Sequence, residues 1–208
     1  PSNSEELRKY LKTSESGSKI AAINKLITND EAVMVDAEQL DATDGLVGCQ
    51  TAVIDIESGN EAAVNRENWI TKKCNAAFDK DASFPLWNDF VSEILADNRE
   101  VIAYVQKALG MALGYGNKHQ ILIILYGTGA NGKSVFLKVI QEIFGDYVRQ
   151  VSPETLTESR RSGGGPREDL LRLKGCRVML TSETDENETL ASGLVKAMVG
   201  GDKCTARG

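Results

Sequence analysis

The chain has 208 residues, enough for one large or two small domains with a hydrophobic core of their own. Apolar residues make up 41% of it, and the longest apolar run, around Ile121 to Tyr126, is far too short for a membrane-spanning helix. The net charge of −6 argues against broad nucleic-acid contact, but it is unevenly spread. Through Glu100 there are 10 Lys+Arg against 19 Asp+Glu, a net of −9; from Val101 onward there are 14 against 11, a net of +3.

The four cysteines, Cys49, Cys74, Cys176 and Cys204, include no C-x-x-C pair, and His119 is the one histidine, so a zinc site is not expected. Reduced thiols and the lack of a recognisable signal peptide fit a cytoplasmic protein. The chain opens on Pro1 rather than Met and reads as a piece of a longer protein.

Residues 1 to about 30 carry a helical pattern. Ser2 and Glu5 suit a capping box, followed by Leu7, Tyr10 and Leu11. After a break at Ser14–Ser18, a second helix presents Ile20, Ile23, Leu26 and Ile27 on one face. Residues 36 to 50 are acidic and glycine-punctuated, as loops are. Residues 51–56 alternate like a strand and run into the turn Ser58-Gly59-Asn60. Pro85 opens a helix bearing Leu86, Trp87, Phe90, Val91, Ile94 and Leu95. Another runs from about Arg99 through Ala112, with Val101, Ile102, Val105 and Leu109 inward. These stripes read as core. Gly114-Tyr115-Gly116-Asn117 marks an expected boundary between a mainly helical domain, 1–115, and a second domain, 116–208.

The second half carries the chemistry. Gly127-Thr128-Gly129-Ala130-Asn131-Gly132-Lys133-Ser134 fits the phosphate-binding pattern G-x-x-x-x-G-K-[ST]. Ile121–Leu125 ahead of it has the composition of a buried strand, and Val135, Phe136, Val139, Ile140, Ile143 and Phe144 behind it have helical spacing up to Gly145. A glycine loop between strand and helix can aim several N–H groups at one phosphate, and the helix N-terminus adds partial positive charge. Ser162–Pro166, preceded by Arg160 and Arg161, reads as a surface loop. Val178-Met179-Leu180 is a second apolar strand, so strand, helix and strand point to a parallel sheet covered by helices. That strand ends at Ser182-Glu183, where a nucleotide hydrolase needs a carboxylate for Mg²⁺ and water; Asp185, Glu186 and Glu188 are its competitors.

Three blocks in order carry a family resemblance: G-T-G-A-N-G-K-S at 127–134, R-V-M-L-T-S-E at 177–183 and K-A-M-V-G-G-D-K-C-T-A-R at 196–207. Together they resemble the superfamily 3 helicases of the phage and plasmid primase-helicase type, related to bacteriophage P4 and poxvirus D5 proteins. Asp55–Gly59, Trp69–Lys73 and the helices to Tyr115 look like that family's N-terminal associated domain. The resemblance implies an α/β fold, an AAA+-like P-loop NTPase with a parallel sheet, cut short at its C-terminal end. It implies a hexameric ring that hydrolyses ATP with Mg²⁺ and moves along single-stranded DNA in phage or plasmid replication, in a bacterial host cytoplasm. Its third motif would form a DNA-touching hairpin carrying Lys196 and Lys203. A sensor asparagine and an arginine finger would lie past Gly208.

The expected roles follow. Gly127 to Ser134 cradle the phosphates, Lys133 neutralises the β- and γ-phosphate charge, and Ser134 binds Mg²⁺. Glu183 serves the metal and the attacking water, and Asn131 helps place the γ-phosphate or that water. The same loop also suits a small-molecule kinase with Arg160 and Arg161 in a lid, an AAA+ remodeller, or a nucleotide-binding fragment without activity of its own.

Overall fold

A computed structural model describes residues 2–63, 65–115, 120–157, 172–182 and 189–200. The chain divides into two compact units, residues 1–40 and 41–208. The boundary expected at 115/116 falls inside the second.

The first unit is a helical hairpin of α1 (Ser2–Ser14) and α2 (Gly17–Ile27), followed by turns. Ser16, in extended conformation, separates the two helices where the serine-rich break predicted it. None of the described side chains of this unit is buried, and Leu7, Tyr10, Leu11, Ile20, Ile23, Leu26 and Ile27 are all exposed.

In the second unit, β1 (Leu46–Gly48), β2 (Val53–Asp55) and β3 (Asn60–Glu61) form an antiparallel sheet, with Val47 opposite Ile54 and Ile54 opposite Glu61. Helices α3 (Pro85–Ile94) and α4 (Arg99–Tyr115) follow, then α5 (Lys133–Phe144). Pro85 opens α3 where no N–H is needed, and Gly145, at φ +55°, ends α5. A second sheet pairs β4 (Val148–Val151) with β5 (Val178–Thr181) in parallel, Val148 opposite Val178 and Val151 opposite Thr181. Helix α6 (Ser192–Gly200) comes last. The fold is therefore mixed α/β, with a small parallel sheet and helices. No described helix is long and apolar enough to cross a membrane.

One expected strand is not formed. Ile121–Leu125 joins no strand ladder, and much of it faces solvent, with Ile124 69% and Tyr126 91% exposed. A parallel strand needs a hydrogen-bonded neighbour and cover on both faces; here the partner of β5 is Val148–Val151, a segment too short and polar to stand out by composition. Ser192–Gly200 is helical, with Leu194, Val195, Ala197, Met198 and Val199 all partly buried, and residues 201–207 of the block expected to form a DNA-touching hairpin lie outside the described residues. His119, Arg160, Arg161, the segment 162–166 and Cys204 lie outside the described residues.

The core of the second unit joins Val47 and Cys74 to Phe136, Ile140, Phe144, Tyr147 and Val148. Its keystone is Tyr147, at 0% exposure. Its hydroxyl donates to Lys72 O (2.9 Å) and accepts from Gly48 N–H (2.9 Å), so one side chain bridges β1 and the segment after Asn68. Burial pushes this phenol above its ordinary pKa. The Arg177 guanidinium lies 4.6 Å from the ring centre and donates to Leu46 O (2.9 Å) and Leu113 O (2.6 Å). Arg177 thereby ties residues on the two sides of position 115.

Tyr147→Phe keeps the ring and removes the bridge, leaving a buried N–H and a carbonyl without that partner. The expected loss of stability is about 1–3 kcal/mol. Urea denaturation should show it as a lower midpoint with an unchanged slope.

Candidate phosphate-binding loop

Residues 127–132 form a turn that runs into α5, exposed at 127–130 and half-buried at Asn131 and Gly132. Gly129, Ala130 and Gly132 have φ of +38°, +51° and +81°, left-handed backbone of the kind found in anion-binding nests of N–H groups. Gly132 caps α5, its carbonyl accepting from Phe136 N–H (2.9 Å). The N–H groups of the first helical turn therefore open toward the loop.

What seats the loop is α3. A Cβ on Gly132 would stand 2.5 Å from Ile94 Cγ2 and 3.4 Å from Phe90 Cε2. One turn along α5, Phe136 stacks on Trp87 at 5.7 Å and 18°. The apolar stripe of α3 was legible as core, but nothing in its spacing tells which surface it packs against. Trp87, Phe90 and Ile94 are the residues that sequence reasoning left out of the site.

Within the loop the Lys133 ammonium donates to Gly127 O (3.1 Å) and to Asn131 Oδ1 (2.8 Å). The Asn131 amide nitrogen fills the place that a Cβ on Gly127 would take. Asn131, Lys133 and Gly127 are thus brought together, and Lys133 is held over its own loop by two neutral oxygens. Such oxygens hold a cation more weakly than a phosphate does. Thr128, Gly129, Ala130 and Ser134 are exposed, with Ser134 in the first turn of α5. Ser182, the residue after β5, is exposed, whereas Glu183, Asp185, Glu186, Glu188 and Lys203 lie outside the described residues. Lys196 is exposed on α6.

Comparison with known proteins bears out the resemblance to D5-type primase-helicases. Residues 2–96 match the family model "D5 N terminal like". A protein of Acanthamoeba polyphaga mimivirus named "Putative helicase" is 28% identical over 172 residues, covering 81% of this chain and 18% of its own length. A "Putative primase" of African swine fever virus (isolate Tick/Malawi/Lil 20-1/1983) is 24% identical over 176 residues, covering 82% of this chain and 18% of that protein. A "Putative helicase" of Invertebrate iridescent virus 3 is 27% identical over 179 residues, again 82% of this chain and 19% of the relative. The chain spans less than a fifth of the length of these curated relatives.

Gly132→Ala meets both a left-handed φ and the Ile94 side chain, and is expected to cost about 2–4 kcal/mol. Gly129→Ala meets only the φ, with no atom within 4 Å of its Cβ, and should cost about 1–2 kcal/mol. Parallel urea titrations of the two variants check the difference.

Proposed function

We propose that residues 127–134 bind the phosphates of ATP and that the chain is part of an ATP-dependent DNA helicase acting in DNA replication. The observation that carries this is the loop itself: glycine-based, left-handed, open to solvent, feeding a helix N-terminus, with the Lys133 ammonium poised over it on Gly127 O and Asn131 Oδ1. The helicase and primase names of the relatives supply the reaction class. The P-loop NTPase sheet of the superfamily 3 type belongs to this reading, as does assembly into a hexamer.

In this reading the arriving γ-phosphate replaces Asn131 Oδ1 and Gly127 O as the partner of Lys133, and two neutral acceptors give way to a charged one. The freed Asn131 amide is then placed to contact the phosphate or the attacking water. The Ser134 hydroxyl, in the first turn of α5, suits an oxygen-only site for Mg²⁺, with Glu183 as its partner carboxylate. Mg²⁺, when bound, would supply neutralisation of the charge that builds up on the phosphates. Lys196 of α6 and Lys203 would meet the phosphates of single-stranded DNA.

Lys133→Ala in the 208-residue chain should weaken ATP binding at least about tenfold, as loss of a charge-assisted contact implies, measured by titration calorimetry. In the full-length protein the same change should lower ATP turnover by roughly 100-fold or more. Glu183→Gln should retain ATP binding while abolishing turnover. Unchanged ATP affinity in the Lys133 variant would remove the reading.

Lys196→Ala in the full-length protein should weaken single-strand binding and reduce the slope of log affinity against log salt by about 0.7. Basal ATP hydrolysis should stay unchanged. A slope equal to that of the unmodified protein would show that Lys196 does not meet the strand.

A further inference from the structure

Cys49 and Cys74 lie 25 positions apart in sequence, on backbone segments that are hydrogen-bonded to one another. Cys74 is 3% exposed within the core cluster, and Cys49 is half-buried against that cluster. Backbone bonds clamp the two segments beside the pair: Cys74 N–H donates to Gly48 O (2.8 Å), and Gln50 N–H donates to Ala76 O (3.1 Å). Hydrogen-bonded neighbouring segments sit at backbone separations of the kind a disulfide spans. The two thiols influence one another, a side-chain hydrogen bond between them lowering the pKa of Cys49 and raising that of Cys74. The third described cysteine is differently placed: the Cys176 thiol donates to Val178 O (2.9 Å) and Tyr147 O (3.3 Å).

We propose that Cys49 and Cys74 form a thiol–disulfide exchange site, in which a small disulfide of the glutathione class oxidises the pair to an internal bridge.

The two sulfurs have different chemistry. Cys49 reaches solvent, and the hydrogen bond from Cys74 lowers its pKa to about 7 against its partial burial. A thiol with a pKa near the ambient pH is the best placed to attack a disulfide. The same hydrogen bond, together with burial, holds Cys74 as the protonated thiol. Arg177 favours the Cys74 thiolate and Asp146 opposes it, so neither decides the outcome alone.

In the first step the Cys49 thiolate attacks one sulfur of the small disulfide. A Cys49–glutathione bond forms, the glutathione S–S bond breaks, and one glutathione leaves as its thiolate. In the second step Cys74 gives up its proton and attacks the Cys49 sulfur. The Cys49–Cys74 bond forms and the second glutathione leaves. The two protons lost by the protein end on the two glutathione thiolates, so one protein dithiol is oxidised and one glutathione disulfide is reduced. The bridge would tie the end of β1 to the strip 72–76, which also holds Gly145 at the end of α5 through Lys73 and Asn75.

The folded 208-residue chain is incubated with excess glutathione disulfide, alkylated and digested with trypsin without reduction. The expected product is peptide 74–80 linked to peptide 26–66, reversed by dithiothreitol. The oxidised chain should unfold at a temperature higher by roughly 5 °C or more. Cys74→Ala should instead trap a stable glutathione adduct on Cys49. The proposal is overturned if unmodified protein keeps glutathione on Cys49 without forming the bridge, if either thiol pairs with Cys176 or Cys204, or if both remain alkylatable. Because the peptide map of the unmodified chain decides these outcomes, a variant that fails to fold leaves the test intact.

Discussion

The hydroxyl of Tyr147 holds the second unit together. It sits at the end of α5, where the chain turns into β4, yet both of its hydrogen-bond partners belong to the region before residue 75. A buried phenol without partners would be costly, so its position is fixed only when β1 and the following segment are correctly placed. Arg177 repeats the logic from the start of β5, covering the same ring and reaching carbonyls of residues 46 and 113. Two polar side chains from the second half of the chain therefore define where the first half rests.

That arrangement matters for the loop. The region matched by the family model ends at residue 96, and the glycine motif begins at 127. They nevertheless share a core: Phe90 and Ile94, from the matched region, form the wall against which Gly132 turns, and Trp87 supports the first turns of α5. The loop's rear is rigid packing and its front is open to water. Binding that depends on aligned backbone N–H groups needs that combination, since a loop free on both sides would lose entropy on meeting its ligand.

Much of this was legible in the sequence, and the failures have causes. The helices were plain from their apolar spacing, although spacing did not report burial, since the stripes of α1 and α2 are exposed; Pro85 and Gly145 marked ends by backbone chemistry alone. The motif gave Lys133 and Asn131 at once. The strand reading of Ile121–Leu125 failed because hydrophobicity says only that a segment would gain from cover, not that a neighbour supplies it. Val148–Val151 escaped notice for the opposite reason: Arg149 and Gln150 face outward, and the strand exists through its pairing with β5. Tyr147 and Arg177 could not be found by any local pattern, because their partners lie 64 to 131 positions away.

The first glycine of the motif has a second reason to be glycine. Its missing side chain is space already taken by the Asn131 amide, whose oxygen in turn steadies the lysine. A larger residue at 127 would evict that amide and leave the ammonium to find another partner. The three positions therefore act as one substitutable unit, and a lineage that changed the asparagine would relax the demand on the glycine as well.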